Sequence, residues 1–183
     1  MSIQERAVTN SILLVAQPLI LNVLSVAVVG YMARTLGHDQ YGTFVFAFAF
    51  VSAFAPLSSM GLRAIMVRDI AQDKWDFSEY VGKSLALRSL LGLLTLLAVL
   101  VAVNALQYPT ETRKAVYIAS LTAFFTSVTS LFIDVFQAKQ NVRYVAYIQL
   151  VPGVVLTIAS VIVLQLGFGL YGLVWVYTIG GLL

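Results

Sequence analysis

The sequence predicts an all-α fold, a polytopic bundle of transmembrane helices, on three observations. Of 183 residues, 60% are hydrophobic and only 10% charged, against roughly 25% charged in ordinary soluble domains. The apolar residues gather into five uninterrupted segments and the start of a sixth, and each of the five has about the 20 residues a helix needs to cross a 30 Å hydrocarbon core. Lysine and arginine divide unequally between alternate connections, as they do where a chain is threaded through a membrane.

The spans read as 12–32, 41–60, 84–106, 115–135 and 145–166, with an incomplete sixth at 169–183. Arg6 before the first resembles the start of a signal peptide. The apolar stretch behind it, however, exceeds the roughly 7–15 residues of a signal core, and no Ala-x-Ala site follows. Asn10 and Gln17 share one face of this span, and Asn22 lies elsewhere around it. Pro18, Pro56 and Pro152 offer bends in the first, second and fifth spans, serving either gating or packing. The second span alternates Phe44, Phe46, Phe48, Phe50 and Phe54. Its length overrules a strand, and on a helix these rings are expected to contact lipid.

Arg88 lies about one turn into the third span, with Gly92 and Thr95 following at helical spacing. Near a helix end its guanidinium is expected to snorkel to the headgroups; the alternative is a cavity-facing fork suited to phosphate. The fourth span carries a polar stripe. Ser120, Ser127 and Asp134 recur every seven residues, and Ser130 and Gln137 occupy three- and four-residue offsets, so all five share one side. The stripe either lines an aqueous cavity or lets helices approach closely, with Asp134 reaching the interface or pairing with Lys139. The sixth segment has 15 residues before the sequence stops, about 22 Å of helix. With no lysine or arginine beyond it, the sequence is expected to be truncated.

Placing the amino terminus and the second-to-third and fourth-to-fifth connections on one side gathers Arg6, Arg63, Arg68, Lys74, Lys83, Arg88, Lys139 and Arg143 there, leaving Arg34, Arg113 and Lys114 opposite. Eight against three predicts a cytoplasmic amino terminus. Trp75 and Tyr80 on that side, and Tyr31, Tyr41 and Tyr108 on the other, fit interfacial anchors. Within Gly61 to Ile70, Leu62, Ile65, Met66 and Ile70 alternate with Arg63, Arg68 and Asp69 as in a short amphipathic surface helix.

Other function classes have little support. With no cysteine and a single histidine, His38, the chain has neither a thiolate metal site nor the imidazoles of a zinc centre. His38 itself is expected to be solvated in its connection. The net charge of +3 is spread by membrane side, unlike a nucleic-acid-binding arm. No catalytic triad, phosphate-binding glycine loop or paired acid arrangement occurs in a persuasive context, so neither an enzyme nor a cofactor is expected.

The stretch Arg34-Thr35-Leu36-Gly37-His38-Asp39-Gln40-Tyr41-Gly42, preceded by Ala33 and followed by Thr43-Phe44, resembles the link between the first two helices of polysaccharide flippases. These belong to the multidrug, oligosaccharidyl-lipid and polysaccharide exporter superfamily. Gly61 to Ile70 resembles the Gly-Leu-x-x-x-x-x-Arg-Glu-Ile run after their second helix, with Asp69 in place of glutamate. Phe136 to Tyr144 is similar to their Phe-Gln-Gly-x-x-x-x-x-Tyr link, with Ala138 in place of glycine.

These motifs stand in the expected order and cover most of the chain. The resemblance implies a multi-pass protein of a bacterial or archaeal cytoplasmic membrane that flips undecaprenyl-pyrophosphate-linked oligosaccharide for O-antigen, capsule or teichoic acid type polymers. It implies alternating access of two lobes, with this chain most of the amino-terminal one and the carboxy-terminal lobe missing. Lipid-linked oligosaccharide, membrane lipids, that second lobe and a polysaccharide polymerase are the expected partners; nucleic acid is not. Arg63, Arg68 and Arg88 are candidates for the substrate phosphate. Gln17, Asn22, Ser120, Ser127, Ser130, Asp134 and Gln137 are candidates for lining a cavity or coupling to a proton or sodium gradient. Two other readings stay open: a cation-coupled multidrug exporter, with Asp134 binding the ion, and a noncatalytic membrane scaffold.

Overall fold

The computed structural model describes residues 3–59, 61, 62, 68, 77–138 and 142–182, with side chains for residues 18, 19, 21–58, 61, 62, 68, 80–135 and 150–182. Among the described residues the chain is all-helical and has no strand. The elements are α1 (Ile3–Ala53), α2 (Ala55–Ser59), α3 (Phe77–Ala105), α4 (Thr110–Ala138), α5 (Val142–Gln165) and α6 (Gly169–Gly180).

The first two expected spans form the two arms of α1, joined at a kink. Only Gly37 departs from helical backbone there, at φ 75° and ψ 174°, a region open to glycine because it lacks a Cβ. The link expected over residues 34–42 therefore shrinks to one residue. Thr35 and Thr43 donate back to the carbonyls of Tyr31 and Asp39, holding helix on either side. The second span breaks again at Phe54. Pro56 lacks an N–H and its ring collides with the carbonyl four residues back, that of Ser52, so the helix cannot run straight through. The chain tightens instead, with Phe54 N–H donating to Val51 and Leu57 N–H to Phe54. Pro18 and Pro152, by contrast, lie inside α1 and α5.

Two helices, Tyr80–Ala105 and Thr110–Val135, are each 26 residues long and apolar enough to cross a membrane, and at 1.5 Å per residue each extends about 39 Å. The outer face of the bundle is apolar. On α3, Leu87, Leu90, Leu94, Leu97 and Val101 are exposed at spacings of three and four, and on α5 so are Val151, Val155, Ile158 and Ile162. Such continuous stripes are foreign to a water-facing monomer surface and suit contact with lipid tails.

At the centre lies α4, which packs against α1, α2, α3, α5 and α6. Ala115, Ala119, Ala123 and Ser127 form a row of small, buried residues every fourth position, continued by Leu131. In lipid the hydrophobic effect does not draw helices together, so close van der Waals approach over small residues and interhelical hydrogen bonds must do so. Both occur here. Thr178 on α6 donates to Ile118 O, and Thr129 on α4 donates to Gly181 O.

The phenylalanines of the second span differ from the expected lipid contact. Phe44 is buried in the core, and Phe46, Phe48, Phe50 and Phe54 pack against it. Rings of Phe44 and Phe48 meet Tyr177 of α6 with centroids 5.1 and 5.6 Å apart, and Phe46 meets Tyr108 at 4.8 Å. The second arm of α1 lies within the bundle, so its aromatic faces find partners on several neighbours.

Candidate functional site

Three residues of the α4 stripe, Ser127, Ser130 and Asp134, face α3 at one end of the bundle. Arg88 of α3 donates from Nη2 to Asp134 Oδ2 and from Nη1 to Ser130 Oγ, both at 2.5 Å. Ser130 Oγ donates to Ser127 O, and Ser127 Oγ donates across to Arg88 O, closing a ring of hydrogen bonds between the helices. Arg88 is 5% exposed and Asp134 2%. A lone charge in this setting costs several kcal/mol, and the ion pair with its added hydroxyl bonds offsets that cost.

Glycine makes the approach possible. A Cβ on Gly92, one turn beyond Arg88, would sit 3.0 Å from Ser127 Cβ and 3.3 Å from Phe124 Cα. This contact draws α3 onto the serine face of α4 and brings the guanidinium within reach of both acceptors. Arg88 therefore turns into the bundle rather than snorkelling outward, because a carboxylate and a hydroxyl await it there. Asp134 pairs with Arg88; Lys139 lies outside the described residues.

The other sequence candidates are dispersed. Ser120 is buried and donates to Tyr117 O within α4. Asn22 is exposed on the first arm of α1, and Arg68 is exposed in helical backbone. Arg63 and most of the Gly61 to Ile70 stretch lie outside the described residues, as do Trp75 and the side chains of Gln17 and Gln137.

Among the described residues, two cavities lie away from the ion pair. One, about 180 Å³, is lined by Phe48, Val51, Ser52, Ser58, Thr122 and Thr126, between the second arm of α1, α2 and α4. Its hydroxyls come from Ser52, Ser58, Thr122 and Thr126, which no sequence motif singles out. Thr122 Oγ1 is buried there without a hydrogen-bond partner among the described residues.

The other, about 360 Å³, opens at the end of the bundle where the Gly37 kink meets the α3–α4 connection, and His38, Asp39, Thr43, Phe46, Tyr108 and Thr112 line it. The α5–α6 connection reaches the same end, since Gly169 lies beside the Gln40 side chain. His38 is solvent-exposed as expected but borders a pocket. Tyr108 and Thr112 carried no sequence signal that would link them to it. The motif spanning Arg34 to Gly42 was the available clue, because its glycine fixes the kink that presents His38 and Asp39.

Among known proteins, the family model described as polysaccharide biosynthesis protein matches residues 7–183. No curated protein and no solved structure matches the chain.

Proposed function

The chain belongs to the polysaccharide biosynthesis protein family and is a membrane protein, and from that premise we propose that it serves as a flippase for undecaprenyl-pyrophosphate-linked oligosaccharide in surface polysaccharide synthesis. The family match over nearly the whole chain carries this reading. The exposed apolar stripes on α3 and α5 support it, since they provide lipid contact for a multi-pass protein.

The substrate sets the physical problem. Its lipid tail can remain in hydrocarbon while its sugars and pyrophosphate need a polar route. In the proposed orientation the amino terminus is cytoplasmic in the inner membrane, and the Gly37 kink and the α3–α4 connection face outward. Exposed Arg68, with Arg63, attracts the pyrophosphate on the cytoplasmic side. Arg88, committed to Asp134 and Ser130 in this conformation, positions α3 against α4. Alternating access against a second lobe completes the cycle without nucleotide hydrolysis, and a polysaccharide polymerase takes the product.

Two measurements test this. Deletion of the gene should make lipid-linked oligosaccharide accumulate on the cytoplasmic face and deplete surface glycan; unchanged glycan would overturn the flippase. Impermeant thiol labelling in intact cells should reach Gln40→Cys and miss Asp76→Cys, against no native cysteine background. The reverse pattern would overturn the orientation.

A further inference from the structure

The pocket at the Gly37 end has the composition of a carbohydrate subsite. A pyranose presents an apolar C–H face and a rim of hydroxyls, each both donor and acceptor. It is therefore held by an aromatic shelf and by polar groups placed around it. Here Tyr108 supplies the shelf, braced by Phe46 at 4.8 Å and by Phe50 edge-on at 6.0 Å. His38 and Asp39 enter from the second arm of α1 and Thr112 from the first turn of α4. At about 360 Å³ the depression is wide open to solvent, so it would hold one sugar ring against its floor without enclosing it.

Its polar groups are uncommitted. Among the described residues, no side-chain hydrogen bond engages the Asp39 carboxylate, the His38 ring or the hydroxyls of Tyr108 and Thr112. The Thr43 hydroxyl is turned back onto Asp39 O, holding the turn from which the carboxylate projects. Among the described residues no lysine or arginine lines the pocket, which does not favour phosphate. One carboxylate acceptor, one imidazole and two hydroxyls around an aromatic ring suit a polyol.

We propose that His38, Asp39, Tyr108 and Thr112 form an outward-facing subsite that takes a single pyranose residue of the transported glycan. The proposal rests on the flippase reading above. The subsite gives the motif around Gly37 a role: the kink presents two side chains to a sugar emerging at the outer face.

The test uses the full chain in lipid nanodiscs and a panel of methyl pyranosides, including the 2-acetamido type, read by saturation-transfer NMR titration. At least one glycoside should bind saturably. Asp39→Asn and Tyr108→Ala should each weaken it by about tenfold or more, as expected for loss of one charge-assisted hydrogen bond or of the shelf. Tyr108→Phe should fall between, and Ser25→Ala, at an exposed position on the first arm of α1, should bind like wild type. Asp39 is exposed, so its variant keeps the question open to refutation if Tyr108→Ala misfolds. The subsite is overturned if no glycoside saturates, if Asp39→Asn binds like wild type, or if tetramethylammonium binds in place of sugars. Intact glycoside binding in a chain whose gene deletion leaves surface glycan unchanged would overturn the transport reading and not the subsite.

Discussion

Arg88 on α3 and Asp134 on α4, separated by 46 positions in sequence, form an ion pair inside the bundle, and both are almost fully buried. Removing one partner leaves the other charge stranded, which typically costs about 3–5 kcal/mol, whereas replacing both by apolar residues of similar volume is often neutral or better. Asp134→Leu and Arg88→Met alone should therefore lower stability in detergent unfolding far more than the double variant Arg88→Met with Asp134→Leu. A double variant as unstable as the sum of the singles would mean that the pair does not act as a unit.

Gly92 sets the distance over which that pair is made. Its missing Cβ would press on Ser127 Cβ and the Phe124 backbone, and forcing methyl groups into such a contact costs about 1–3 kcal/mol. Gly92→Val should lower stability by this amount. Gly30→Ala has open space around it and should be neutral or stabilising, by up to about 1 kcal/mol. Thermal unfolding of the two variants against wild type checks the contrast; equal effects would remove the close-approach argument.

Gly37 is a different glycine, with open space around it but a φ of +75°. With ψ at 174° this backbone is essentially confined to glycine, so any L-residue is strained there, asparagine included, at roughly 1–3 kcal/mol. In the expected order of stability Gly37 stands first, with Gly37→Asn and Gly37→Val both below it, read by unfolding in detergent. Glycoside binding should weaken in the same order, because the kink aims His38 and Asp39. A valine variant as stable as wild type would show that the arms of α1 can meet without left-handed backbone.

Periodicity exposed the helical bundle because 20-residue apolar segments are a one-dimensional signal. The polar stripe of α4 was equally legible, since Ser120, Ser127 and Asp134 repeat every seven residues. Its partner was not. Arg88 sits near a helix end, where outward snorkelling is the common fate, and only the packing of α3 on α4 reveals the carboxylate waiting inside. The phenylalanines misled for a related reason: a helix facing lipid and one enclosed by other helices carry the same apolar residues. The outer pocket joins Asp39 to Tyr108, 69 positions apart, a juxtaposition that no local spacing encodes.

The last prediction separates the two roles assigned to arginine. Arg68 is exposed and is proposed to meet pyrophosphate, so Arg68→Gln should reduce transport per inserted molecule about ten- to a hundredfold, the equivalent of roughly 1.5–3 kcal/mol for one charge-assisted hydrogen bond, with a smaller loss of stability than at buried Arg88. Arg68→Lys should rescue in part, since it keeps the charge and loses the planar fork. Arg88 should behave in the opposite way. Its two nitrogens serve Asp134 and Ser130 separately, an arrangement that the planar fork matches and a single ammonium nitrogen fits less well, so both Arg88→Lys and Arg88→Gln should lower stability and the amount of inserted protein. Transport per surviving molecule should stay near wild type. Quantifying insertion, unfolding and translocation on the same preparations distinguishes the outcomes. If Arg88→Gln inserts and unfolds like wild type yet loses transport, Arg88 must leave Asp134 during the cycle and contact substrate, and the positioning role falls.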